Sequence, residues 1–253
     1  MWNRQELKFR GKQAFQRNYG CAVGVALIMT LVSGELTSSG NNVRQYVDYT
    51  SSGSGHYSTH VWSIGNWRWF GNDGFISAAV AGLLSLIAIA VAVCVLLFGV
   101  FVGNVLEVGG KKFFILNQNG RPGMGAMLEG FRSGHYGNLV LTMFLRDLFI
   151  FLWSLLLFVP GIIKYYEYLM VPYILSENPG MNREEAFLIS RQMMNGQKWE
   201  TFVLDLSYLG WYILSAFTCG LLAIFYVNPY KEATFAELYA ANRYKAYQEG
   251  YIR

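Results

Sequence analysis

The sequence is poor in charge, cysteine and histidine, and each shortage excludes something. Asp, Glu, Lys and Arg make up 14% of it, well under the roughly 25% of a soluble domain, which argues against an ordinary water-soluble globule. The three cysteines, Cys21, Cys94 and Cys219, lie in apolar runs without C-x-x-C spacing. That excludes a disulfide framework and a zinc ribbon, and leaves them as small buried hydrophobes. Of the three histidines, His56 and His60 stand four apart, as helical metal ligands do. Their Ser/Gly-rich setting offers no helix, so no metal site is expected. Neither H-E-x-x-H nor G-x-S-x-G occurs. Gly109-Gly110-Lys111-Lys112 fails as a phosphate loop, because position 105 is not Gly and no Ser or Thr follows the lysines. We therefore expect no enzyme and no cofactor. A net charge of +4 is too small to suggest nucleic acid.

What is present is apolar and aromatic: 53% hydrophobic residues, 17% of the chain being Phe, Trp or Tyr. The composition predicts one integral-membrane domain over residues 1–253, an all-α polytopic transmembrane bundle of about six spans with interfacial amphipathic helices. Residues 1–18 read as an interfacial amphipathic helix. Leu7, Gly11, Ala14 and Phe15 share one face, and Arg4, Lys8, Lys12 and Arg17 are candidate contacts for anionic phospholipid at the inner leaflet. The basic start and the apolar run after it are similar to a signal peptide, but the long amphipathic lead argues against cleavage. Tyr19 to Leu36 is the first expected span, about 18 residues or roughly 27 Å of helix.

Residues 37–74 turn to Ser, Gly, Asn and aromatics with two cations, Arg44 and Arg68. The positive-inside rule puts them outside, where Trp62, Trp67, Trp69 and Phe70 form a candidate aromatic patch or simply an interfacial belt. Phe75 to Gly103 is the second span. Residues 104–138 and 178–199 carry the basic residues and are expected to be cytoplasmic, as are both termini. Between them, Leu139 to Val159 is the third span. Pro160-Gly161 either kinks it or returns the chain as a fourth span over 162–176; the return keeps 178–199 inside. Asn182 followed by Glu185 predicts a helix start, and Gly196 its end. Residues 201–227, divided near Thr218-Cys219-Gly220, give the last two spans and a weak internal repeat.

Charges inside apolar runs need protein or water around them. Arg146, Asp147, Lys164, Glu167 and Asp205 are accordingly the candidate intramembrane polar network. Arg146 and Asp147 are adjacent and point about 100° apart on a helix, so each is expected to seek another element. Counted along their helices, Arg146 lies roughly 10 Å and Asp205 roughly 6 Å from the inner face, which suggests an inner pair. Glu167 lies roughly 9 Å from the outer face, one turn from Lys164, which suggests an outer pair.

Several runs carry a family resemblance: RQELKFRGKQAFQRNYG, GFRSGHYGNLVLTMFLRDLFIFLW, LLLFVPGIIKYYEYLMVPYILSENP, SRQMMNGQKWETF, LDLSYLGWYILSAFTCG and YVNPYKEATFAELY. Together they resemble DUF975, a Gram-positive integral-membrane family of unknown function. They are also similar to the membrane domain attached to some glycerophosphodiester phosphodiesterases, whose catalytic domain this chain lacks. The resemblance implies a polytopic helical fold and the bacterial cytoplasmic membrane, and carries no catalytic residues over; the external loop looks longer than the family's. The expected function is binding or moving a lipid-like or amphipathic molecule. The alternative is a structural adaptor that binds a protein partner or a second copy of the chain. A wet cavity at the charged residues favours the first, a dry paired core the second.

Overall fold

The computed structural model describes residues 2–33 and 74–251, which form helices and, among those residues, no strand. They belong to two compact units, Met1–Leu36 with Val100–Arg253, and Thr37–Gly99. The expected aromatic patch at Trp62, Trp67, Trp69 and Phe70, with His56 and His60, lies outside the described residues. In chain order the helices are α1 (Arg4–Arg17), α2 (Tyr19–Ser33), α3 (Gly74–Phe98), α4 (Asn104–Asn117), α5 (Glu129–Arg132), α6 (Tyr136–Leu156), α7 (Phe158–Glu167) and α8 (Val171–Glu177). Then come α9 (Arg183–Met193), α10 (Lys198–Leu206), α11 (Leu209–Phe217) and α12 (Asn228–Gln248), with π-helical turns at Gly99–Gly103 and Ala223–Val227.

The Thr37–Gly99 unit contributes α3, apolar throughout and exposed from Gly82 onward. A helix hydrophobic on all sides is at home in a core or in hydrocarbon, not in water. By length and composition two helices could cross a membrane, Gly82–Asn117 and Tyr136–Leu156, while Tyr19–Leu31 is apolar but shorter. Two candidate spans among the described residues do not confirm the expected six. The expected fourth span is split between α7 and α8, of 10 and 7 residues. The expected fifth is split between α10 and α11, of 9 residues each. A straight crossing needs about 20 residues.

The breaks have local causes. Leu157 is extended at φ −157°, ending α6, so Pro160 falls in the first turn of α7, where its missing N–H costs nothing. The chain returns there: α7 packs back on α6, with Gly161 so close to Ser154 that a Cβ would strike it. The second break sits at Cys219 and Gly220, both at positive φ, 51° and 83°.

In the larger unit, α4 and α12 are the central helices. The Gly109-Gly110 pair that failed as a phosphate loop is a packing device. A Cβ at Gly109 would strike the Met127 carbonyl, and one at Gly110 the Met29 thioether. Asparagine side chains clip segments together: buried Asn117 donates to the Ala14 carbonyl at 2.8 Å, and half-buried Asn138 to those of Pro179 and Met181, both at 2.9 Å.

Helix α1 starts at Arg4, capped by the Asn3 side chain on the Gln5 N–H at 3.0 Å. Its Leu7, Gly11, Ala14 and Phe15 are buried as one face, but that face rests on α12 rather than on a bilayer. Contact is closest at Gly11, where a Cβ would meet Thr234 Oγ1 at 2.6 Å and its Cα at 2.8 Å. Gly11→Val should therefore loosen α1 from α12, at a cost of about 1–3 kcal/mol. At Gly20 an added Cβ would meet nothing within 4 Å, so Gly20→Val is the control substitution. The melting temperature in detergent should fall clearly further for Gly11→Val; equal falls would mean that the α1–α12 contact is not tight.

Candidate functional site

The five charged residues singled out by the sequence do not form one network. They belong to three clusters, each completed by residues not singled out. In the first, Arg146 of α6 makes a two-pronged bridge to Glu107 of α4, Nη1 to Oε1 at 3.0 Å and Nη2 to Oε2 at 3.1 Å. Its Nε also donates to Asp147 Oδ1 at 2.9 Å. The planar guanidinium fork matches a carboxylate edge, which makes this a strong, directional pair. One helical turn from Glu107, Lys111 pairs with Glu232 of α12 at 2.7 Å and lies 5.1 Å from the centre of the Tyr173 ring.

These groups border an open cleft of about 420 Å³, lined by Glu107, Lys111, Arg146 and Asp147 together with Ile150, Phe151, Tyr165, Tyr168 and Leu169. Two cations and two carboxylates thus face apolar and aromatic side chains. A volume of this order suits a small ligand or the head of a larger one.

The second cluster belongs to Asp205, which pairs with Lys231 at 2.7 Å and accepts the Tyr166 hydroxyl at 3.0 Å. The expected inner pair of Arg146 with Asp205 is therefore corrected: each has nearer partners. Matching depth along two helices says nothing about which faces meet. The assumption about neighbours also fails, because a long arginine side chain can curl back to the carboxylate beside it.

In the third cluster Lys164 and Glu167 do pair, at 2.7 Å. Glu167 also holds Arg191 at 3.0 Å and Lys198 at 3.6 Å. Those two belong to the stretch expected to be cytoplasmic, whereas Glu167 was expected near the outer face. The two expectations cannot both hold. Segments α7, α9 and α10 meet at one level because the chain turns at Leu157 and again at residues 168–170.

On α1, Arg4 and Lys12 are exposed and make no ion pair among the described residues. Arg17 donates to the Gln118 carbonyl at 3.0 Å. Lys8 turns inward, 4.8 Å from the centre of the Tyr208 ring, and burial, helped by the nearby Arg4 charge, holds its pKa below the usual lysine value. Glu107, Lys111 and Lys231 were missed because they lie in stretches read as cytoplasmic. The available signal was the Glu107–Lys111 spacing of four in the helix Asn104–Asn117.

With this geometry in view, the family model described as Protein of unknown function (DUF975) matches residues 155–245. The match supports that family for α7 through most of α12, the part holding Glu167 and Asp205. Arg146 and Glu107 lie before it. No curated protein and no solved structure matches the chain.

A double-mutant cycle checks the corrected pairing. Arg146→Ala with Glu107→Ala should be coupled by about 1–3 kcal/mol, whereas Arg146→Ala with Asp205→Ala should add within about 0.5 kcal/mol. Denaturation in detergent reads both. Additivity in the first cycle, or coupling confined to the second, would restore the expectation that the structure corrects.

Proposed function

We propose that the protein is a non-enzymatic, multi-pass helical protein of the bacterial cytoplasmic membrane that binds or moves a lipid-like or amphipathic molecule. The observation that carries this reading is the cleft beside the Arg146–Glu107 bridge. Counting Glu232, which pairs with Lys111, its two cations meet three carboxylates, which favours a head that brings a positive charge beside its phosphate. Ile150, Phe151 and Leu169 offer apolar surface to the adjoining chain. A charged group bordering a wet cleft avoids the full cost of burial in hydrocarbon.

The membrane setting is supported by the two candidate spans and by the exposure of large apolar side chains such as Leu155 at 75% and Leu86 at 66%. A shared side for the N-terminus and residues 178–199 is supported by the hydrogen bond from Trp2 Nε1 to Gln197 Oε1, 2.6 Å. Anionic-lipid contact by α1 then rests chiefly on Arg4 and Lys12. The adaptor alternative is supported by a polar groove of about 610 Å³ between α1 and α12, bordered by Glu6, Arg10, Glu237 and Lys245.

Protein extracted in mild detergent should retain zwitterionic phospholipid, detectable by mass spectrometry. Arg146→Ala and Lys111→Ala should each weaken retention about tenfold, the equivalent of 1.4 kcal/mol. Retention unchanged in both variants would overturn the proposed use of the cleft, and capture of a defined protein partner lost with Arg10→Glu would favour the adaptor.

A further inference from the structure

Glu167 gathers more positive charge than it needs. Its side chain is 7% exposed and sits at the end of α7. Lys164 takes Oε2 at 2.7 Å, and Arg191 and Lys198 converge on Oε1 at 3.0 and 3.6 Å. The carboxylate cancels one of three charges, so the cluster keeps an excess of two. Other acids do not cancel it. Asp205 of α10 is held by Lys231. Among the described residues Glu184, Glu185 and Glu200, on the same two helices as Arg191 and Lys198, form no ion pair with the cluster.

The surplus faces outward. Lys164 is turned in, 5.5 and 5.6 Å from the centres of the Trp153 and Tyr168 rings. Arg191 is 55% exposed and meets Glu167 Oε1 from Nε at 3.0 Å, so more than half of its side chain is open to a further ligand. Lys198 lies beyond the 2.7–3.2 Å of a normal N–H···O bond, held to Oε1 by charge at 3.6 Å. Because both cations touch the same oxygen, their outward donors are close enough to share one small anion. Beside them Trp199 is 72% exposed and rests on Phe202, ring centres 5.4 Å apart. An exposed indole beside cations is the side-chain pairing found at headgroup level.

We infer that Arg191 and Lys198, supported by Lys164, form a binding site for a phosphate group, with Glu167 as the fixed counter-ion that holds the three cations in register. The guanidinium fork takes two phosphate oxygens and the ammonium a third. The phosphate comes either from an anionic lipid head or from solution. This site is separate from the cleft at Arg146 and does not rest on how that cleft is used.

The full chain in detergent is titrated with inorganic phosphate by calorimetry. In parallel it is reconstituted in phosphatidylcholine with phosphatidic acid, re-extracted, and its retained lipids are weighed by mass spectrometry. Phosphatidic acid should be enriched over phosphatidylcholine, and Arg191→Gln with Lys198→Gln should cut the enrichment about tenfold. Arg191→Lys, which keeps the charge but not the fork, should weaken it several-fold. Both replaced side chains are partly or largely exposed, and an unchanged melting temperature confirms that the fold is kept. Enrichment without binding of inorganic phosphate identifies the lipid head as the source; binding of both identifies the phosphate group itself. Binding of inorganic phosphate without enrichment identifies solution as the source; enrichment or phosphate binding that survives in the double variant, or absence of both in the unaltered protein, overturns the site. Arg146→Ala should leave the amount of retained phosphatidic acid unchanged and lower only that of phosphatidylcholine, which separates failure of this site from failure of the cleft.

Discussion

A guanidinium on an apolar helix must be met by a carboxylate or by water, and in this protein the Arg146–Glu107 bridge answers that requirement. The bridge fixes α6 against α4 at one rotation and one height, since two parallel hydrogen bonds tolerate little sliding. Lys111, a turn along the same face, then ties α4 to α12 through Glu232. Around these ties the glycine pair on α4 allows close approach on its other faces. If the helices lie in hydrocarbon, burial of apolar side chains gives little drive for association, and packing with polar ties must hold the bundle. Partly buried ion pairs give modest net stability, and their stronger use is to select one arrangement among several apolar alternatives.

Much of this was legible along the chain and little of it across the chain. The buried face of α1, Leu7, Gly11, Ala14 and Phe15, follows from local chemistry. So do the α9 start, where Asn182 caps the Glu184 N–H at 3.3 Å, and the positive φ of 75° at Gly196 beyond its end. The breaks near Pro160 and Gly220 were also readable, from proline and glycine constraints. What covers each face was not. The apolar face of α1 looked fit for a bilayer but rests on α12, because one amphipathic pattern serves either partner.

Pairing failed for a related reason. Helical rise gives the depth of Arg146 and Asp205, yet rotation and lateral order decide contact, and neither is encoded in spacing along one helix. Lys164 and Glu167 were readable because they sit three apart on α7. Arg191 and Lys198 were not, since counting spans by length assumed straight crossings where the chain makes short, turning helices. The assignment of Glu107 to a surface stretch had the same source: the helix Asn104–Asn117 carries it to the face that meets Arg146.

The central claim is that the bridged charges border water rather than a sealed core. In a variant with Cys21, Cys94 and Cys219 replaced, a single cysteine at Leu169, which lines the cleft, is compared with one at Leu155, 75% exposed on the apolar surface of α6. In reconstituted vesicles opened to both sides, a small charged thiol reagent should modify Leu169→Cys at least tenfold faster than Leu155→Cys. Equal rates at the two positions, or no modification at Leu169→Cys, would contradict the account.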